Sequence, residues 1–182
     1  MKHLRKILIA ALAVAMLAVA AVGFAACGGT DKTVKETYVC GELADNGYGG
    51  HDSSVYQLNL MSDGSYELIK TTLIYGYSMN LGTTTVEMFG TYTEGAETDG
   101  YIAYTLSDAT RVILNSYSNA GGYNINIDTD TSTYPLELPA SGEGEKVMAN
   151  GKEDVINAYG KGMTVYASAS NNTTFSLTNP NA

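Results

Sequence analysis

From Val55 to Leu114 apolar and polar residues take turns, and this period of two constrains the fold more than any other feature of the chain. Tyr56, Leu58 and Leu60 alternate with Gln57 and Asn59, and Tyr66 and Leu68 resume the pattern after Ser62-Asp63-Gly64. Alternation sends successive side chains to opposite faces, which is the signature of a half-buried strand. Further runs of this kind cover Leu73–Met79, Thr85–Thr93, Tyr101–Leu106, Thr110–Tyr117 and Tyr123–Asp128. Turn signals at Asn80-Leu81-Gly82, Asp99-Gly100, Ser107-Asp108 and Gly121-Gly122 separate them. A first strand over Lys35–Leu43 precedes a glycine-rich loop from Asp45 to Ser53. Toward the C-terminus, Tyr134-Pro135-Leu136 starts an edge strand, because proline cannot donate to a ladder, and Ala140–Glu145 reads as loop. Glu153–Tyr159 has helical spacing and ends at Gly160, and Met163–Ala169 and Thr173–Leu177 form a last pair of strands around Asn171-Asn172. The expectation is an all-β fold: an antiparallel up-and-down barrel or sandwich of about 8–10 strands with at most one short helix.

The turn at Asp63-Gly64 sets the register. A two-residue loop pairs Met61 with Tyr66 and mixes apolar with polar residues on each face. A three-residue loop, Ser62-Asp63-Gly64 with Gly64 left-handed, pairs Leu60 with Tyr66 and Leu58 with Leu68, leaving one face apolar. A one-residue slip would turn every side chain over, so the three-residue loop is predicted. The same alternation sends Tyr56, Val86, Met88, Tyr92, Ile102, Tyr104, Leu106, Val112 and Leu114 inward. The phenols of Tyr56, Tyr66, Tyr92 and Tyr104 then need partners, since an unpaired buried hydroxyl costs about 1–3 kcal/mol. Either neighbours satisfy them or they open onto a pocket, so these four are the candidate ligand-binding residues.

The N-terminus has a different character. Lys2, Arg5 and Lys6 precede an unbroken apolar run from Ile7 to Ala26, which Cys27 closes. A basic head, an apolar stretch and small residues before a cut form the layout of a secretory signal. Phe24-Ala25-Ala26-Cys27 resembles the lipobox of bacterial lipoproteins. That resemblance implies cleavage before Cys27 and a diacylglyceryl thioether on its sulfur, often with a further acyl group on its amine. Two buried chains suffice for stable anchoring where one is marginal. The competing reading is an uncleaved membrane helix, which leaves the rest of the chain outside as well. The domains expected are a signal peptide over 1–26, a lipidated Cys27 with a flexible tether over 27–34, a single β domain over 35–178, and a disordered tail over 179–182. The localisation expected is the extracytoplasmic face of a cell membrane, with the bilayer itself as a partner through the anchor.

Beyond the cleavage point seven basic residues face nineteen acidic ones, a net charge of −12 for the mature chain. Such a surface repels phosphates, which argues against nucleic acid as a partner. With Cys27 lipidated, Cys40 has no intramolecular disulfide partner, and His51 is the one histidine left to pair with it as a nucleophile. Two such residues make a weak basis for catalysis and cannot anchor a zinc ion, for which three or four ligands must converge. Asp128-Thr129-Asp130-Thr131-Ser132 faintly resembles the start of a calcium loop, but Thr133 stands where glycine is needed and Pro139 where a bidentate glutamate belongs. No catalytic, metal or cofactor-binding residues are assigned.

Leu58-Asn59-Leu60-Met61-Ser62-Asp63-Gly64-Ser65-Tyr66 and Phe89-Gly90-Thr91-Tyr92-Thr93 resemble segments of small lipocalin-like barrels found in bacterial lipoproteins. The resemblance implies up-and-down topology more than it implies a ligand, since the Gly-x-Trp signature of true lipocalins has no counterpart here. Two functions follow as expectations. One is a tethered β-barrel binding module for a small apolar or glycan-like ligand. The other is a surface interaction or scaffold lipoprotein without such a ligand, its partner a surface protein. A tyrosine-lined empty interior favours the first, and a filled core with exposed tyrosines the second. An enzyme ranks third.

Overall fold

A computed structural model describes residues 32–45, 51–76, 79–119, 123–139, 146–170 and 173–181. Cys27 and the apolar segment before it lie outside the described residues. The fold is all-β; among the described residues there are eleven strands and one helix: β1 Val34–Asp45, β2 His51–Met61, β3 Ser65–Gly76, β4 Met79–Thr98, β5 Tyr101–Leu106, β6 Arg111–Ser118, β7 Tyr123–Asp128, β8 Leu136–Pro139, β9 Lys146–Ala149, α1 Lys152–Tyr159, β10 Thr164–Ser168 and β11 Phe175–Ser176. Nine strands make one antiparallel sheet in the order β1-β2-β3-β4-β5-β10-β11, with β6 and β7 branching from β4, while β8 and β9 form a separate ribbon. The Val39 N–H donates to the Thr173 carbonyl at 2.8 Å and Val39 bridges Thr174, so the sheet nearly closes on itself.

The predicted hairpin register is the one that forms. Leu60 pairs with Tyr66 and Leu58 with Leu68, and Gly64 sits at φ +82°. Other boundaries differ. The run expected as two pieces around Tyr66 and Leu73 is one twelve-residue strand, and Asn80-Leu81-Gly82 lies within β4 instead of forming a turn. Both neighbours of that segment are strands, β3 on one side and β6 on the other, and their ladders override the local turn signal. Asp52 and Ser53, expected in a loop, continue the β1–β2 ladder. Val34, assigned to the tether, starts β1.

Strand β4 serves both halves of the barrel. Its first part pairs with β3 and β6, and from Tyr92 onward it pairs with β5. Gly90 stands at the changeover, with the Tyr66 ring laid against it: a Cβ there would meet Tyr66 Cε1 at 2.7 Å and Ser107 Oγ at 2.8 Å. Only a residue without a side chain admits that approach.

The register stacks the inner face in rows across the strands. One row reads Tyr38, Leu58, Leu68, Met88, Val112, and the next Cys40, Tyr56, Lys70, Val86, Leu114, Ile127. A third reads Glu42, Ser54, Thr72, Thr84, Ser116, Ile125. The core therefore runs from apolar to hydroxyl-bearing along the same strands. Helix α1 packs over it through Val155, which is fully buried.

Candidate functional site

All nine residues expected to face inward belong to the core or pack against it, Tyr92 and Ile102 as its half-buried members. The interior around the expected tyrosines is filled. Tyr104 is fully buried, its ring 5.9 Å from Tyr38 and 5.8 Å from Tyr92 in an edge-on contact. The Tyr104 phenol donates to Glu36 Oε2 at 3.3 Å, and Tyr38 donates to the same oxygen. Tyr92 donates to the Met61 carbonyl at 3.3 Å, Tyr66 to the Ser107 carbonyl at 2.9 Å, and Tyr56 to Glu42 Oε2 at 3.1 Å. Of the two possibilities open in the sequence, neighbours satisfy these phenols. Burial, reinforced by the Glu42 charge, holds the Tyr56 phenol well above the ordinary range. Burial does the same at Tyr38 and Tyr104 and pushes Tyr66 up to about 12. The structure brings Tyr92 and Tyr104 together, sets Tyr66 against Gly90, and places Tyr56 apart, under the Lys70 ammonium at 5.2 Å.

Two grooves lie elsewhere. The larger, about 390 Å³, is lined by Ala96, Thr98, Asp99, Tyr101, Ala103, Tyr166, Asn179 and Asn181. It forms where the β4–β5 hairpin, turning through Asp99 and Gly100 at positive φ, meets β10 and the C-terminal segment. Ala103 pairs with Tyr166 across β5 and β10, which sets Tyr166 on the groove. Asn179 and Asn181 line the groove as well, with the Asn181 N–H donating to Asn179 Oδ1 at 2.9 Å. Both tyrosines are half-buried, and neither phenol is hydrogen-bonded among the described residues.

The smaller groove, about 180 Å³, lies at the hydroxyl-bearing end of the inner face between the sheet and α1, lined by Lys70, Thr72, Thr84, Val86, Met88, Ala158 and Tyr159. Val86 and Met88 are its buried floor. Register signals for it were available: if Leu58 pairs with Leu68, alternation sends Lys70 and Thr72 to the apolar face beside Tyr56. Tyr101, Tyr166 and the two asparagines gave no comparable signal, since 63 residues of chain separate Ala103 from Tyr166 and only strand pairing unites them.

The remaining sequence candidates settle into structural roles. Cys40 is a half-buried free thiol, and burial, with the Glu42 charge, pushes its pKa up, opposite to the shift that activates a nucleophilic cysteine. Cys40 pairs with Tyr56 and His51 with Asp45, five positions along the ladder, roughly 16 Å at 3.3 Å per residue. They form no nucleophile pair. In the Asp128–Ser132 segment, Arg111 donates to both Asp128 oxygens at 3.0 and 2.7 Å, and Lys152 holds Asp130 at 2.5 Å. Thr129 Oγ1 accepts the Val112 N–H at 3.0 Å, so the segment pins the end of β6. Among the described residues no helix is long and apolar enough to cross a membrane. Compared with known proteins, the chain matches no family model, no curated protein and no solved structure.

Proposed function

We propose that this chain is a lipid-anchored recognition module on the extracytoplasmic face of a cell membrane, holding a small glycan-like ligand in the Tyr101–Tyr166 groove. Cys27 carries the anchor in this reading, and the barrel serves as a rigid support. The observation that carries it is the pair of half-buried tyrosines with unbonded phenols beside Asp99, Asn179 and Asn181 in a groove of about 390 Å³. That volume falls within the usual range for small-ligand sites. Sugar rings combine C–H faces, which suit tyrosine rings, with hydroxyls that suit amide and carboxylate partners. The filled tyrosine core removes the barrel interior as the ligand site, so the small-ligand reading rests on the surface groove alone, and the filled core itself counts toward the second reading below.

The test is saturation-transfer NMR of the full chain in detergent against a panel of short oligosaccharides. A saccharide should bind, and Tyr166→Ala should weaken it about tenfold or more, the cost of truncating an aromatic anchor. Absence of any saccharide response, or binding indifferent to Tyr166→Ala, defeats the glycan reading. The anchor is tested separately: Cys27→Ala should abolish labelling by a radioactive fatty acid, and a variant that still takes up label and pellets with membrane refutes it.

A second reading, a surface interaction protein, is favoured by one outer row, Leu43, Ser53, Leu73, Thr83 and Tyr117, in which Leu43 is 46% and Tyr117 51% exposed. In that case Tyr117→Ala, and not Tyr166→Ala, should abolish recovery of a crosslinked partner from the native membrane.

A further inference from the structure

Every other described basic side chain is spoken for. Lys32 pairs with Asp63 at 3.0 Å, Lys35 with Glu94 at 3.1 Å, Arg111 with Asp128 at 2.7 Å, Lys146 with Glu137 at 2.6 Å, Lys152 with Asp130 at 2.5 Å and Lys161 with Asp108 at 2.8 Å. Lys70 alone has no ion pair among the described residues, in a domain where acids outnumber bases by nineteen to seven. Its ammonium lies over the Tyr56 ring, 5.2 Å from the centroid. Glu42, in the adjacent row of the same face, accepts the Tyr56 phenol and makes no ion pair with Lys70. A half-buried cation kept from carboxylates on an acidic protein has its charge available to something else.

The surroundings say what kind of group that is. Ser54 and Thr72 share a hydrogen bond at 2.9 Å, and Thr84 and Ser116 another at 2.8 Å. Two hydroxyls bring two protons and use one between them, so each pair keeps one donor to spare. The rim thus offers ammonium and hydroxyl donors, with no carboxylate among its lining residues, above a floor of Val86 and Met88. A volume of about 180 Å³ admits a small organic ion and excludes a long acyl chain.

We propose that this groove binds a short-chain carboxylic acid, its carboxylate on Lys70 and the Thr72 and Thr84 hydroxyls, its alkyl tail on Val86 and Met88. The site is distinct from the Tyr101–Tyr166 groove and stands or falls separately.

The experiment titrates the full chain in detergent with butyrate, butyramide and inorganic phosphate, following shifts of the Met88 methyl resonance. Butyrate should saturate, while butyramide, which lacks the charge, should bind more weakly by about tenfold or more, the worth of one charge-assisted hydrogen bond, and phosphate, which lacks the tail, by about tenfold or more through lost apolar burial. Lys70→Met should weaken butyrate by a similar factor and Lys70→Arg should retain it. Thr84→Val provides a second arm should Lys70→Met fail to fold. The proposal is overturned if butyrate does not saturate, if butyramide or phosphate binds equally well, or if neither Lys70→Met nor Thr84→Val alters the affinity.

Discussion

The two ends of the barrel's inner face are built from the same strands and differ in what covers them. At one end the row Tyr38, Leu58, Leu68, Met88, Val112 is closed over, each member no more than 3% exposed. Two rows along, Glu42, Ser54, Thr72 and Thr84 occupy the same face and remain accessible, with only Ser116 buried among the polar members. Burial stabilises the first end in proportion to apolar area removed from water, whereas the second satisfies its hydroxyls in pairs and leaves donors free. The comparison teaches that on one sheet face the stabilising end and the candidate binding end are set by neighbours beyond the sheet. Helix α1 stops short of sealing the mouth, with Ala158 and Tyr159 forming one wall of the groove.

The contrast breaks most directly by truncation. Leu68→Ala, at a site 1% exposed, should cost about 2–5 kcal/mol in urea unfolding of the full chain, whereas Thr72→Ala, four residues on along the same strand, should cost under about 1 kcal/mol. Similar losses at both positions would mean that the mouth is as tightly packed as the core.

Gly90→Ala comes next. Its Cβ would press on the Tyr66 ring and Ser107, so we expect about 1–3 kcal/mol of destabilisation. If the melting temperature is unchanged, the changeover of β4 between its partners does not depend on that close approach.

Tyr104→Phe should cost about 1 kcal/mol, because it removes a buried phenol from Glu36 and Tyr38. Tyr166→Phe should change stability by less than about 0.5 kcal/mol, its hydroxyl having no partner among the described residues. Equal costs in chemical denaturation would erase the distinction between the buried tyrosines and those of the groove.

The last contrast is a displaced titration. Burial raises the Tyr66 phenol to about 12, above its ordinary value near 10. The folded state therefore holds this proton more tightly than the unfolded chain. Its stabilising contribution is complete below about pH 10 and is lost as pH rises through 12. Absorbance at 295 nm should show the Tyr66 phenol ionising only near pH 12, with Tyr38 and Tyr56 later still, accompanied by unfolding. Tyr66→Phe should remove one phenol from the late amplitude; a loss from the early amplitude instead would place Tyr66 among the exposed tyrosines.

Much of this was legible in the linear chain. Alternation needs no tertiary information, because a strand's side chains point to opposite faces whatever it pairs with. The Leu58–Leu68 register, the inward set from Tyr56 to Leu114, the bounds of Tyr101–Leu106 and Tyr123–Asp128, and the short helix could all be read from spacing and turn chemistry. The lipobox-like ending at Cys27 is likewise local, a matter of four adjacent residues. What the tertiary structure decided were choices between partners distant in sequence. Asn80-Leu81-Gly82 reads as a turn until β3 and β6 flank it and their ladders hold it extended. The four inward-facing phenols need some acceptor by the cost of burying a hydroxyl, but only the packed fold selects Glu36, Glu42, Met61 and Ser107. Tyr166 reaches Tyr101 because β10 pairs on one edge with the sequence-distant β5, while its sequence neighbour β11 takes the other edge. Local rules act over a few residues through sterics and periodicity, while a groove arises from elements that meet only after the chain has folded.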